Sequence, residues 1–150
     1  MTAKEYLWRV RDAARELKRL EQEYEQARDD ILNLKAISYD TDKITGGKHC
    51  DLSDAIAKLE GYAQRISAKW DELIKMREEA GRRIESLKDR RFQQVLKRRY
   101  LQEQPWEQIA YILGYDYRYV LKLHGKALQN FDMELKKTQK DTYDLCYSIS

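Results

Sequence analysis

The sequence predicts an all-α protein: a long N-terminal antiparallel helical hairpin, or coiled coil, followed by a small C-terminal helix-turn-helix domain. Charged residues make up 37% of the 150-residue chain, which contains only one proline and six glycines. Such a composition, rich in helix formers and almost free of breakers, is typical of a mostly helical protein. Apolar residues also recur at three- and four-residue intervals in three separate stretches, which is the period of an α-helix. We expect the hairpin over 1–87, the helix-turn-helix domain over 88–135 and a flexible tail over 136–150.

The first stretch, residues 3–34, carries a strict heptad repeat. None of its ten seam positions is charged, and most are apolar. They are Ala3, Tyr6, Val10, Ala13, Leu17, Leu20, Tyr24, Ala27, Ile31 and Leu34. The alternating spacing of three and four residues predicts a left-handed coiled coil rather than an isolated helix.

A second seam extends from Leu52 to Leu87. Ten of its eleven positions are apolar, and Arg77 is the exception. The positions are Leu52, Ile56, Leu59, Ala63, Ile66, Trp70, Leu73, Arg77, Ala80, Ile84 and Leu87. Two seams of similar length predict two helices that pair in a hairpin.

The linker between the seams, residues 36–51, is the predicted tip of the hairpin. Gly46 and Gly47 allow a turn, and the aspartates and threonines around them favour turns and helix caps. The second helix is expected to start near Asp51 or Ser53. The tip is either a polar connection alone or a contact for RNA polymerase or another partner.

Apolar residues outside the seams indicate that the hairpin has a further partner. They are Leu7, Ala14, Ala55, Tyr62 and Ile74. A second copy of the arm could cover them, which predicts a homodimer or a higher oligomer. The alternative is that the arm packs back onto its own C-terminal module.

The third stretch begins with a short helix, in which Phe92, Val95, Leu96 and Tyr100 share one face. Pro105 then opens a second helix, because the fixed φ of proline suits a first turn. The apolar stripe of that helix is Trp106, Ile109, Ala110 and Leu113, and Gly114 follows it directly. A glycine is favoured there because helix ends often need a positive φ.

A third helix completes this domain. Asp116 can cap it through its carboxylate. Its inward set is expected to be Val120, His124, Ala127, Leu128 and Phe131, with His124 a core histidine rather than a ligand or a base. Two short helices joined by a glycine turn are the helix-turn-helix signature, in which the second helix enters the DNA major groove.

The charge distribution also favours DNA as the partner of this domain. Residues 88–131 contain nine lysines and arginines against four acids, a net charge of +5. The rest of the chain has twenty basic and twenty-two acidic residues, a net charge of −2. The positive charge therefore lies in the segment predicted to bind DNA.

The DNA-facing residues follow from the helical angle of 100° per residue. Opposite the apolar stripe of the third helix lie Arg118, Lys122, Gly125 and Gln129, with Tyr119, Leu121 and Lys126 on the flanks. Tyr117 is expected to pack against Trp106 or the edge of the core, or to bond a phosphate. The pairs Arg98-Arg99 and Arg90-Arg91 are either phosphate contacts or a solvated helix face. We expect Arg118 or Lys122 to reach base edges.

Several of these residues resemble a known pattern. The residues that carry it are Arg99-Tyr100-Leu101, Trp106-Glu107-Gln108-Ile109-Ala110, Leu113-Gly114, Val120 and Ala127-Leu128. They resemble region 4 of sigma-70-type factors, a module that binds promoter −35 elements. One departure is Pro105, which stands where that pattern usually has a small hydroxyl residue, so a phosphate contact is lost or moved.

The resemblance extends over about residues 1–135 when the coiled region and the Ser38-Tyr39 … Gly46-Gly47 linker are included. Together these parts resemble phage late-gene transcriptional regulators of the RinA/ArpU type. The resemblance implies a sequence-specific regulator that binds double-stranded promoter or operator DNA. Its coiled arm would serve oligomerisation or polymerase contact.

Other classes of function are disfavoured by what the sequence lacks. It has no glycine-rich phosphate loop, no nucleophile beside a base and no histidine cluster, so we expect neither an enzyme nor a cofactor. Cys50 and Cys146 have no paired spacing, so no metal site is expected. The charged N-terminus is unlike a signal peptide, and no run approaches the ~20 apolar residues of a membrane span. We expect a cytoplasmic protein of a bacterial host cell with no membrane partner.

Two alternatives to the regulator remain open. A small terminase subunit also joins a helix-turn-helix to a coiled oligomerisation segment, but it recognises phage packaging DNA. A coiled-coil adaptor would bind protein through its C-terminal bundle, and it gives the basic segment no role. The number of subunits and the location of binding sites in a genome separate the first two classes.

Overall fold

The computed structural model describes residues 1–40 and 49–148, and these residues contain no β-strand. Its helices are α1 (Ala3–Asp40), α2 (His49–Glu85), α3 (Arg90–Leu96), α4 (Trp106–Leu113) and α5 (Tyr117–Ser148). A π-helical turn, Lys97–Leu101, continues α3. The all-α prediction is confirmed. None of the described helices is both long and apolar enough to cross a membrane.

The chain forms two compact units whose boundaries lie inside α1 and α2. The head unit comprises residues 1–12 and 74–150, and the arm unit comprises residues 13–73. The predicted domain boundary between residues 87 and 88 therefore does not coincide with the boundaries between these two units. The first turns of α1 and the last turns of α2 pack with the C-terminal helices.

The head unit is built around one large apolar cluster drawn from α1, α2, α3, the π-helical turn and α5. Its buried members are Ala3, Tyr6, Leu7, Val10, Ala80, Ile84, Leu87, Phe92, Val95, Leu96, Tyr100, Leu123, Ala127, Phe131 and Leu135. The rings of Tyr6 and Phe131 lie 5.6 Å apart. The backbone N–H of Ala3 also donates a hydrogen bond to the Asp132 carboxylate. The start of the chain is thus tied to α5, as one of the two alternatives for the arm requires.

The arm unit consists of one helix pair with a thin core. Ala14, Leu17 and Leu73 form its buried cluster, and Leu20 and Ile31 are also buried. Two polar contacts join the helices: Lys69 Nζ lies 3.9 Å from Glu16 Oε2, and Trp70 Nε1 donates to Glu21 Oε1 at 3.1 Å.

Two predicted boundaries are corrected. The linker 36–51 is shorter, because α1 continues to Asp40 and α2 already begins at His49, not at Asp51 or Ser53. Residues 36–40 include no glycine or proline that would end a helix. The remaining tip, residues 41–48 with Gly46 and Gly47, lies outside the described residues.

The second correction concerns the tail. The segment 136–150 was expected to be loosely ordered, but α5 continues through it as far as Ser148. It too lacks glycine and proline, so nothing in it interrupts the helix. Leu145 and Tyr147, in this part of α5, are 63% and 78% exposed.

Candidate nucleic-acid interface

The turn between α4 and α5 fixes the direction in which α5 starts. Gly114 has φ +70°, and its N–H bonds the carbonyls of Ala110 and Tyr111 at the end of α4. The following N–H, of Tyr115, also bonds the Ala110 carbonyl at 3.0 Å. α5 then begins, with the Val120 N–H on the Asp116 carbonyl at 3.0 Å. A left-handed glycine therefore closes α4 and redirects the chain within three residues.

One face of α5 is buried over most of its first five turns. Its buried residues are Val120, Leu123, Ala127, Phe131 and Leu135. Val120 also packs with Ile109 and Ala110 of α4 in a small cluster of its own. Of the predicted stripe, Leu128 is only partly buried, and Leu123 was missed. Because this face is occupied, the opposite face of the first turns is available to solvent.

The exposed face of α5 carries most of the residues that the sequence predicts to bind DNA. Exposed positions on it are Arg118, Lys122, Lys126 and Gln129. Tyr117, Tyr119 and Leu121 are 42%, 37% and 39% exposed. The expected packing of Tyr117 into the core edge is therefore incomplete. At Gly125 an added Cβ would meet no atom within 4 Å, so this position is open as well.

Arg98 and Arg99 lie elsewhere, on the π-helical turn, and both are half-buried. Arg98 Nη1 donates to the side chain of Gln104 at 3.4 Å, and Arg99 Nη1 donates to the Gln104 carbonyl at 3.3 Å. The Arg99 guanidinium also lies 4.3 Å from the centre of the Trp106 ring. These arginines brace the connection between α3 and α4, a role that the sequence did not reveal.

Arg91 reaches the exposed face of α5 from α3. Its Nε and Nη2 bond the two oxygens of Asp89 at 3.2 and 2.9 Å. Its Nη1 donates to the Tyr119 hydroxyl at 2.8 Å. The hydrogen bond from Arg91 lowers the pKa of Asp89, and the same carboxylate raises the pKa of Arg91. The three side chains form a charged cluster, called here the Arg91 cluster, beside the first turn of α5.

His124 lies on the inner side of α5, as the sequence predicts. Its Nε2 is 2.7 Å from the Tyr100 hydroxyl, and its ring centre is 4.6 Å from that of Trp106. Burial, together with the nearby charges of Arg99 and Lys4, lowers the pKa of His124 to about 4. The imidazole is therefore neutral at physiological pH and serves packing rather than charge.

Residues 33–132 match the family described as "Protein of unknown function (DUF1492)". The match covers two thirds of the chain. This chain belongs to the DUF1492 family. No curated protein and no solved structure matches it.

The DUF1492 match includes α3, α4 and the first half of α5, and with them every residue that the sequence analysis considers for DNA contact. It also includes the Arg91 cluster. It leaves out residues 1–12, although Tyr6, Leu7 and Val10 belong to the core of the head unit. The DUF1492 region of this chain therefore shares its core with residues that lie outside the match.

Proposed function

We propose that this DUF1492 protein is a sequence-specific DNA-binding transcriptional regulator whose first turns of α5 enter the major groove. One observation carries the proposal. Directly after a left-handed glycine turn, α5 exposes Arg118, Lys122 and Lys126 on the side opposite its buried stripe. A buried inner face and a basic outer face on the second helix of such a pair are what major-groove binding requires.

The chemistry of the exposed side chains divides into base and phosphate contacts. Arg118 is the second residue of α5, and an arginine at such a position can bond guanine N7 and O6 together. Gln129 offers an amide, the group that pairs with adenine, but it lies three turns further along. Lys122 and Lys126 each present a single ammonium suited to phosphate. Arg118 is therefore proposed to select the base, and the lysines to supply salt-dependent affinity.

The resemblance to late-gene regulators of the RinA/ArpU type extends this proposal to the biological role. The protein would act in the cytoplasm of a bacterial host, at a phage promoter or operator. The +5 charge of residues 88–131 supports a nucleic-acid partner for this part of the chain. The resemblance also makes RNA polymerase a partner to test.

Self-association is proposed for the arm unit. Its two helices leave Ile56 and Trp70, both seam residues, 42% and 41% exposed. A second copy of the same helix pair would cover these side chains and bury more apolar surface. Two copies would also present two head units, which suits a site composed of two half-sites.

The test of DNA binding is a pair of substitutions with a matched control. Arg118→Ala is expected to weaken binding by ~1–3 kcal/mol and to relax preference at one base-pair position. Lys122→Ala should weaken binding to all sequences alike. It should also reduce the salt slope, which is the slope of log K against the logarithm of the salt concentration, by about one. Lys140→Ala removes the same charge from the same helix, about 27 Å from Lys122. It should change neither the affinity for DNA nor the salt slope.

The measurement is fluorescence anisotropy with the duplex selected by the protein and with a scrambled duplex, over a salt series. A genome-wide map of binding sites supplies the duplex and locates the function. Sites upstream of a structural-gene operon support the regulator, whereas sites at a packaging sequence contradict it. Unchanged affinity in the folded Arg118→Ala, Lys122→Ala double variant would exclude α5 as the DNA-binding helix.

A further inference from the structure

The Arg91 cluster brings a guanidinium group from another helix to the edge of the basic face of α5. Arg91 belongs to α3, and its guanidinium reaches Tyr119 in the first turn of α5. Tyr119 is the next residue after Arg118, which is proposed to contact a base. We propose that Arg91 contacts a phosphate of the DNA backbone, and that Asp89 and Tyr119 position its guanidinium for this contact. The inference depends on the DNA-binding function proposed above.

The guanidinium of Arg91 is held on two sides and remains accessible. Asp89 takes two of its N–H donors and the Tyr119 hydroxyl takes a third. An arginine has five such donors, so two are left for a ligand among the contacts of the described residues. The side chain of Arg91 is 49% exposed. A planar donor group that is fixed in place but half-exposed suits the oxygens of a phosphate.

Tyr119 is itself restrained, which allows it to act as a positioning residue. Its ring packs edge-on against Tyr115, with ring centres 5.0 Å apart. Its hydroxyl is occupied by Arg91 and is therefore engaged within the protein. Tyr119 is thus proposed to influence DNA binding through Arg91.

The ion pair alone does not explain the arrangement. An exposed pair such as Arg91 and Asp89 contributes little to folding, because water screens it. The additional bond to Tyr119 joins the beginning of α3 to the beginning of α5, at the edge of the proposed DNA surface. Loss of Arg91 would also leave the Asp89 carboxylate unpaired there, where it would repel a phosphate. The summed charge of the side chains at positions 89 and 91 would change from zero to −1.

The experiment measures binding to a 30-base-pair duplex of mixed sequence, by fluorescence anisotropy over a salt series. Arg91→Ala is expected to lower the salt slope by about 0.9, which corresponds to about an eightfold loss of affinity at 0.1 M salt. Arg90→Ala is the matched control, since Arg90 is an exposed neighbour of equal charge. It should leave the slope unchanged. Arg91→Lys keeps the charge, so it should retain the slope but lose about threefold in affinity, because a lysine cannot form the same planar contacts.

A double-mutant cycle tests the role of Tyr119. Tyr119→Phe keeps the ring against Tyr115 and removes only the hydroxyl. It is expected to weaken binding about threefold in the wild-type background and to have no effect in the Arg91→Ala background. If Tyr119 had a merely structural role, Tyr119→Phe would cause the same loss of affinity in the wild-type and Arg91→Ala backgrounds.

The outcomes separate this inference from the proposed function. If Arg91→Ala binds as Arg90→Ala does, while Lys122→Ala is weakened, the phosphate contact of Arg91 is wrong and the DNA-binding function stands. Equal effects of Tyr119→Phe in both backgrounds overturn the positioning role. If the wild-type protein does not bind the duplex at any salt concentration, both the inference and the function fall.

Discussion

The head unit and the arm unit share the helices α1 and α2 but bury very different amounts of apolar surface. In the head unit, the first turns of α1 and the last turns of α2 pack with α3 and α5, and fifteen apolar residues are buried in one cluster. Among the described residues of the arm unit, the corresponding cluster joins α1 and α2 and holds Ala14, Leu17 and Leu73.

The difference shows what a heptad repeat can and cannot provide. The same pattern of apolar residues continues through both units, but only the head unit has additional helices to cover more than one side of each helix. A pair of helices alone is only marginally stable in water. The head unit therefore has a larger core, whereas the arm unit leaves the seam residues Ile56 and Trp70 exposed.

The largest expected effect comes from a charge in the seam of the arm unit. Leu20 is 6% exposed, so Leu20→Asp places an unpaired carboxylate in an apolar environment, at a cost on the order of 3 kcal/mol or more. Self-association, measured by sedimentation equilibrium, should be lost. Leu32→Asp is the control, because Leu32 is on the same helix and 54% exposed. A Leu20→Asp variant that sediments like the wild type would contradict the proposed role of the seam.

A smaller effect is expected in the head unit when the pH is lowered. The pKa of His124 is about 4 in the folded protein and 6.5 as the ordinary value, because burial disfavours the charged ring. Protonation therefore favours the unfolded chain. The stability that the neutral ring provides is complete above pH 6.5 and is lost as the pH falls from there towards 4.

Between about pH 7.5 and about pH 5, this loss should be about 1–2 kcal/mol, with allowance for solvent around the partly exposed ring. Urea denaturation at the two pH values measures it. His124→Gln has no titrating ring and should lose much less stability over the same range. An equal loss in both proteins would assign the pH dependence to other groups.

The smallest effect compares two glycines of the head unit. Gly114 has φ +70°, so Gly114→Ala forces a side chain into the left-handed region and should cost about 1 kcal/mol. Gly125 is inside α5 with open space around it, so Gly125→Ala should instead stabilise the protein by up to about 1 kcal/mol. Opposite shifts of the urea midpoint are expected. Shifts of the same sign would contradict the assigned turn.

The sequence predicts the helices well because each one repeats its apolar residues with a helical period. It predicts the α4–α5 turn because Gly114 is a local signal. Which part of the arm packs with the C-terminal helices depends on contacts more than a hundred residues apart, such as Ala3 with Asp132, and no local pattern encodes them. The helical tail could have been anticipated from its lack of glycine and proline.

The residues of the candidate site likewise include some that the sequence places correctly and others whose contacts it does not reveal. The exposed face of α5 follows from helical angles, so Arg118, Lys122, Lys126 and Gln129 were correctly placed on the outside. The roles of arginines outside α5 did not follow. Arg99, on the π-helical turn, lies over the ring of Trp106 beyond the following loop, and Arg91 meets Tyr119 across a gap of 28 residues. The binding of DNA itself stays a prediction.

The hydrogen bond from Ala3 to Asp132 joins two segments that are synthesised at different times, which has a consequence for folding during translation. The wall of the core that covers the first turns of α1, on α5, is synthesised more than a hundred residues after them. At ~5–20 residues per second, Tyr6 and Leu7 remain without their final neighbours for several seconds or longer. The head unit can close only after α5 has been synthesised, so nascent chains are exposed to chaperones and proteases throughout that interval.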